Sequence, residues 1–118
     1  MTFDSCVMND VQVLTPRKNL VGGVETTSLT DAIVRLAAGG APRVVLDLGK
    51  ISWVSSLGIA GMLRARRSCV DGHGWLRLAC QEKRIKSTIL ALRLPFMFDT
   101  FDTVEDAVAA GVRESHAS

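Results

Sequence analysis

Residues 43–63 read RVVLDLGKISWVSSLGIAGML, and this stretch decides the fold. Val44, Val45 and Leu46 are apolar whichever face they turn to, the pattern of a central strand covered by helices. Asp47 ends the run. A short extended piece (Ile51, Trp53, Val54) then leads to Ser55, Ser56 and Gly58, which open a helix over residues 57–70 with Ile59, Met62, Leu63 and Val70 turned inward. A strand's carboxyl end thus lies beside a helix N-terminus bearing hydroxyls. In open α/β sheets this is where ligands and partners dock.

The flanking sequence repeats the alternation of strand and helix. Val11, Val13 and Leu14 read as a first strand, Pro16 to Lys18 as a turn, and residues 19–21 as a second short strand ended by Gly22 and Gly23. Those two strands can pair as a hairpin. A helix follows from Thr27 or Ser28, opened by Ser28 with Asp31 as an acidic variant of the capping box. Leu29, Ala32, Ile33 and Leu36 form its buried stripe, and Gly39, Gly40 and Pro42 stop it. Beyond the central block, 71–74 (DGHG) is a turn, 75–80 (WLRLAC) a strand, and 82–92 a helix closed by Leu94-Pro95. Phe96, Met97, Phe98 and Phe101 make a last strand, and Thr103 with Asp106 caps a helix ending at Val112. Residues 114–118 are expected to fray. The order is strand, strand, helix, then three strand–helix units, which implies parallel strands joined by right-handed crossovers.

Composition sets the limits on function. The 118 residues are 47% hydrophobic and 22% charged, with a net charge of +2, values of an ordinary globular chain. The expectation is one domain over 1–118, with its core at about 11–112 and flexible ends. So small a net charge gives no argument for direct nucleic-acid binding. No apolar run approaches the ~20 residues of a membrane span. The first ten residues lack the basic and apolar regions of a signal peptide, so a cytoplasmic location is expected. Cys6, Cys69 and Cys80 are an odd count without CxxC spacing, which argues against a disulfide framework or closed zinc site and for buried free thiols.

The element order and the VVLDL…ISWVSSLGIAGML block resemble the STAS domain, named for sulphate transporters and anti-sigma factor antagonists. The likeness runs over about 11–112 and includes GHGWLRLACQEKRIKSTILALRLPFMFDTFDTVEDAV. It implies an α/β fold with a four- to five-stranded mixed sheet and about four helices, mainly on one face. It also implies a non-enzymatic anti-sigma factor antagonist that works by partner switching with a serine kinase-like anti-sigma factor. In phosphorylatable members the loop reads Asp-Ser-Ser-Gly or Asn-Ser-Ser-Gly, and the second serine is modified. On this sequence Ser55 takes the acidic or amide position, Ser56 the first serine, Leu57 the phosphoacceptor position and Gly58 the glycine. Leu57 has no hydroxyl. Two readings follow: modification moves to Ser56 or Ser55, or the protein binds without switching. The second is favoured, because one step along a helix turns a side chain by about 100°.

The partner-binding set expected from this resemblance is Gly22, Gly23, Ser55, Ser56, Leu57, Gly58 and Ile59, with apolar Leu57 and Ile59 at its centre. Ser55 and Ser56 are first of all N-cap residues, worth about 1 kcal/mol. Catalysis has little to stand on. G-x-S-x-G is absent, and only His73, in a glycine turn, and His116, near the end, could act as bases. Asp47 reads as a structural anchor, and Asp99 and Asp102 as turn and cap residues. Trp53 reads as core. Gly22-Gly23 shapes a turn and belongs to no phosphate-binding motif, and no cofactor is expected. Arg64, Arg66, Arg67, Arg77, Lys83, Arg84, Lys86 and Arg93 form a basic series, read as a solvated face or as a footprint for an acidic protein or nucleotide phosphate. Other partners left open are a second copy, other STAS proteins, or the ATPase of an ABC transporter; small-nucleotide binding is the alternative from another class.

Overall fold

The structure is a computed structural model and describes residues 2–92 and 98–110. The expectations at Arg93, Leu94-Pro95, Phe96, Met97, Val112, His116 and 114–118 fall outside those residues. Among the described residues, five strands and four helices follow in the order β1 (Phe3–Met8), β2 (Val11–Pro16), α1 (Val24–Ala38), β3 (Arg43–Asp47), α2 (Ser56–Asp71), β4 (Trp75–Ala79), α3 (Lys83–Ala91), β5 (Asp99–Phe101) and α4 (Val104–Ala109). The sheet order is β1-β2-β3-β4-β5. β1 pairs antiparallel with β2, and every later pair is parallel, so the sheet is mixed.

The hairpin differs from the sequence reading. Its partner for β2 is the N-terminal stretch expected to be a flexible end. Met8 pairs with Val11, leaving Asn9-Asp10 as a two-residue turn with φ of 51° and 67°. Positive φ at both positions is the primed geometry whose twist suits a hairpin, and Asn and Asp are the non-glycine residues that adopt it most readily. Residues 19–21 contribute no strand, only a bridge between Leu20 and Val54.

Alternation within the strands divides the core in two. Leu14, Val44, Leu46, Leu76 and Leu78 face α1, α2 and α3 and pack with Leu29, Ile33, Ile59, Met62, Ile85 and Ile89. Val11, Val13, Val45 and Ala79 face the other way, with Ala107 and Val108 of α4 in the same cluster. Among the described residues, α1, α2 and α3 lie on one face and α4 on the other. The inward face of α2 is Ile59, Met62, Ala65 and Cys69; Leu63 is half-buried and Val70 exposed, a rotation from the expected stripe that the small residues permit. Small residues also set the helix spacing, since a Cβ on Gly61 would lie 2.6 Å from the Thr26 methyl carbon.

Arg77, expected within a basic surface, is instead buried in β4. Its guanidinium lies 3.7 Å over the Trp75 ring and donates from Nη1 to the Ala107 carbonyl at 2.8 Å, which fastens α4 to the sheet. A buried charge is tolerated only with such partners. Arg77→Ala removes the donor, the stacking and the packed stem together. Urea unfolding is expected to show a loss of about 2–4 kcal/mol, with α4 amides exchanging fastest.

Candidate functional site

Two loops meet at the carboxyl ends of β2 and β3. The loop after β2 carries Asn19, Leu20, Val21, Gly22 and Gly23; the loop after β3 runs to the N-cap of α2. Asn19 Oδ1 accepts the amides of Ser52 at 2.9 Å and Trp53 at 3.3 Å. The Leu20 carbonyl accepts the Ser55 amide at 2.9 Å. Gly58 lies against that same carbonyl, where a Cβ would come within 2.1 Å of the oxygen. No larger residue fits without displacing the loop.

The first turn of α2 follows from this contact. Ser55 is extended, and its hydroxyl accepts the Gly58 amide at 3.1 Å, so Ser55 is the N-cap. Ser56 is exposed at the first helical position. Leu57, one residue on, is 65% exposed. Gly22, at φ +92°, packs beside it, and a Cβ there would lie 2.5 Å from the Leu57 Cβ. Both the backbone conformation and the close approach therefore require glycine at 22.

The set drawn from the sequence does not all reach the surface. Gly22, Gly23, Ser56 and Leu57 are exposed and Ser55 is half-buried. Gly58 is buried, and Ile59 is only 4% exposed, within the main core cluster. Ile59 is therefore no surface contact: two residues on from the exposed Leu57, it stands about 200° around the helix from it. Sequence reasoning missed other exposed apolar residues in and next to these loops. Val24 opens α1 at 76% exposure, Val21 is exposed, and Trp53, expected in the core, is 39% exposed. Their signal was apolar side chains in glycine- and serine-rich loops, where no core stripe claims them.

The start of α1 is built differently from the expected Ser28–Asp31 box. The helix begins at Val24 with Gly23 as N-cap. Glu25 reaches back so that one carboxylate oxygen accepts the amides of Val21 and Gly23, each at 3.0 Å, and the Thr26 hydroxyl at 2.7 Å. Thr26 Oγ1 in turn accepts the Gly22 amide at 2.9 Å. These donors, the Val21 amide foremost, hold the Glu25 carboxyl down to about 2.

Other candidate groups disperse. Asp47 accepts the Gly49 amide at 2.9 Å and the Thr15 hydroxyl at 3.2 Å, an anchoring role. His73 sits in the turn after α2 at φ +67°. The length of the helix, about 1.5 Å per residue, separates it from Ser55 and Ser56 and leaves those hydroxyls beyond its reach. The basic series spreads over α2, β4 and α3; Arg67 pairs with Asp71 and Lys86 with Asp102. Cys69 and Cys80 are buried, and burial pushes the Cys69 thiol up to about 11; Cys6 is exposed on β1, against expectation. A hollow of about 390 Å³ is lined by Asp47, Cys80, Gln81, Glu82, Asp102 and Thr103 among others, but its carboxylates already serve Gly49, Arg84 and Lys86. No helix among the described residues is long and apolar enough to cross a membrane.

A mixed α/β sheet with these two loops at its carboxyl edge is the setting in which the comparisons with known proteins fall. The family model of the STAS domain matches residues 8–107, and the chain belongs to that family. A Thermotoga maritima protein described as a candidate anti-sigma factor antagonist superposes with a TM-score of 0.84 at 17% identity, over 94% of this chain and 95% of its own. An anti-sigma factor antagonist from Mycobacterium paratuberculosis gives 0.78 at 20% identity, over 92% of each chain. A sulfate transporter family protein from Wolinella succinogenes gives 0.70 at 14%, over 89% of this chain and 87% of its own. No curated protein sequence matches. At these identities the likeness establishes the shared fold.

The Glu25 hook has a definite pH signature. A depressed carboxyl stabilises the fold above its unfolded value of 4.5, and that contribution disappears as pH falls through about 2. NMR titration is expected to place the Glu25 carboxyl near 2, with the Val21 and Gly23 amide shifts following the same curve. Glu25→Gln should abolish that curve, and a Glu25 titrating near 4.5 would contradict the hook.

Proposed function

We propose that this protein is an anti-sigma factor antagonist, a non-enzymatic regulator of transcription acting in the bacterial cytoplasm. Its docking corner is formed by Gly22, Gly23, Ser55, Ser56 and Leu57, with Val21, Val24 and Trp53 around them. Gly58 and Ile59 support the corner from below. The partner is a serine kinase-like anti-sigma factor, and occupation of that factor releases a sigma factor by competition. The reading rests above all on Leu57, a leucine kept exposed on a rigid backbone where a soluble surface gains nothing from it. Burying such a side chain is worth about 1.5–3 kcal/mol, the scale of an interface hot spot. The anti-sigma factor antagonist named among the similar structures supports the same reading.

Leucine at this position further favours a binder that phosphorylation does not switch. A phosphate there would add roughly two negative charges to an apolar patch and disperse the partner. Leucine cannot accept one. The Ser55 hydroxyl is engaged with the Gly58 amide, whereas the Ser56 hydroxyl is exposed and makes no hydrogen bond among the described residues. Ser56 is therefore the one modification site we carry forward. The sulfate transporter family neighbour supports a second reading, a module that binds within a transport assembly.

Titration of the chain against each kinase-like anti-sigma factor of its source organism tests the proposal. Leu57→Asp is expected to weaken binding at least about 100-fold, some 2.7 kcal/mol, with the melting temperature kept because an acid at a helix N-terminus suits the macrodipole. Equal binding by the variant, or no binding by the unaltered chain to any of them, would overturn it. Incubation with the bound kinase and ATP is expected to leave Ser56 unmodified by mass spectrometry; a phosphate on Ser56 would restore the switch.

A further inference from the structure

The two edges of the sheet are not alike. β5 is three residues long, whereas β1 is six and ends the sheet on its other side. Short strands, lysines and prolines are the devices that keep sheet edges from pairing. β1, with sequence FDSCVM, has none of them. Its single charge, Asp4, is tied back to the same chain by Arg17 and by Lys50 at 3.3 Å. Ser5, Cys6 and Val7 are exposed, Val7 by 62%.

Hydrogen-bond parity fixes which backbone groups point outward. The Arg17 amide donates to the Thr2 carbonyl at 3.0 Å, so Thr2 faces β2. Alternation then turns residues 4, 6 and 8 toward β2 and leaves Phe3, Ser5 and Val7 with N–H and C=O directed away from the sheet. We infer that β1 is a self-association edge on which a second copy of this chain docks antiparallel, making one ten-stranded sheet across a two-fold axis at Ser5.

The sequence is self-complementary in that register. Ser5 meets Ser5 of the second copy, and Phe3 meets Val7 of the second copy on either side of the axis. These three hydrogen-bonded pairs employ every outward backbone group of the strand. An aromatic opposite a β-branched residue is a favourable cross-strand pair, and it covers the otherwise exposed Val7. Asp4 falls opposite Cys6 of the second copy, so like charges are never opposed. The ends match too. The turn of each hairpin carries Asp10, and antiparallel docking brings it to the end of the other copy where Arg17, Lys18 and Lys50 lie. A register one residue earlier would set the two Asp4 carboxylates against each other.

Sedimentation velocity and light scattering on the full chain are expected to show a concentration-dependent species of twice the chain mass. Val7→Lys, at an exposed site, is expected to leave a monomer with unchanged melting temperature. Ser5→Pro removes only an outward N–H and is expected to do the same. Register is read separately with Asp4→Cys: the new thiol lies opposite Cys6 of the second copy in a non-hydrogen-bonded pair, with Cα atoms about 4.5 Å apart, within disulfide reach. Oxidation with copper phenanthroline, which takes up the two electrons per bond, should cross-link that variant and not the unaltered chain. A monomer at all concentrations, or a dimer that survives both Val7→Lys and Ser5→Pro, would overturn the inference, and a dimer of Asp4→Cys that fails to cross-link would overturn the register.

Discussion

The contact between the Leu20 carbonyl and the Cα of Gly58 is the constraint from which the corner of the two loops is built. One oxygen accepts the Ser55 amide and also lies where any Cβ at 58 would intrude. The loop after β2 is thereby pressed against the first turn of α2. Once it is there, Gly22 packs beside Leu57, whose side chain is 65% exposed. The backbone on which it stands is fixed by the contacts of Gly22 and Gly58, so a partner that covered it would have less loop ordering to supply.

Capping reinforces the same geometry from both helices. Ser55 satisfies the Gly58 amide, while Glu25 and Thr26 gather the amides of Val21, Gly22 and Gly23. Amides that a loop would otherwise leave to water are thus fixed within the chain. The corner consequently presents apolar side chains (Val21, Val24, Trp53, Leu57) over a hydrogen-bonded base. The amides of Val21, Gly22, Gly23 and Gly58 are thus engaged beneath these side chains and hold the two loops in shape from within.

Much of this was legible in the sequence, and the exceptions have physical causes. Val44 to Leu46 could only be a central strand, and Ser55, Ser56 and Gly58 marked the start of α2. β1 was missed because FDSCVM lies at an edge, half in water, where alternation is not enforced; the Asn9-Asp10 pair between alternating stretches was the available signal. The start of α1 was misplaced because Glu25 caps by folding back to residues 21 and 23, a pattern that a forward serine-to-acid spacing does not describe. Ile59 was grouped with Leu57 because both are apolar and near the serines, yet the turn of about 200° between them sends one into the core and the other to solvent. Arg77 read as surface charge because its partners, Trp75 and the Ala107 carbonyl, come together only in the folded sheet.

Amide hydrogen exchange at Ser55 tests the central claim most directly, because this N–H lies in a loop yet is bonded to the Leu20 carbonyl. The expected result is protection comparable to that of the β3 amides in the unaltered chain, and its loss in Gly58→Ala, where the added methyl must force the two loops apart. A Ser55 amide that exchanges as freely as an ordinary loop, or one that stays protected in Gly58→Ala, would contradict the account.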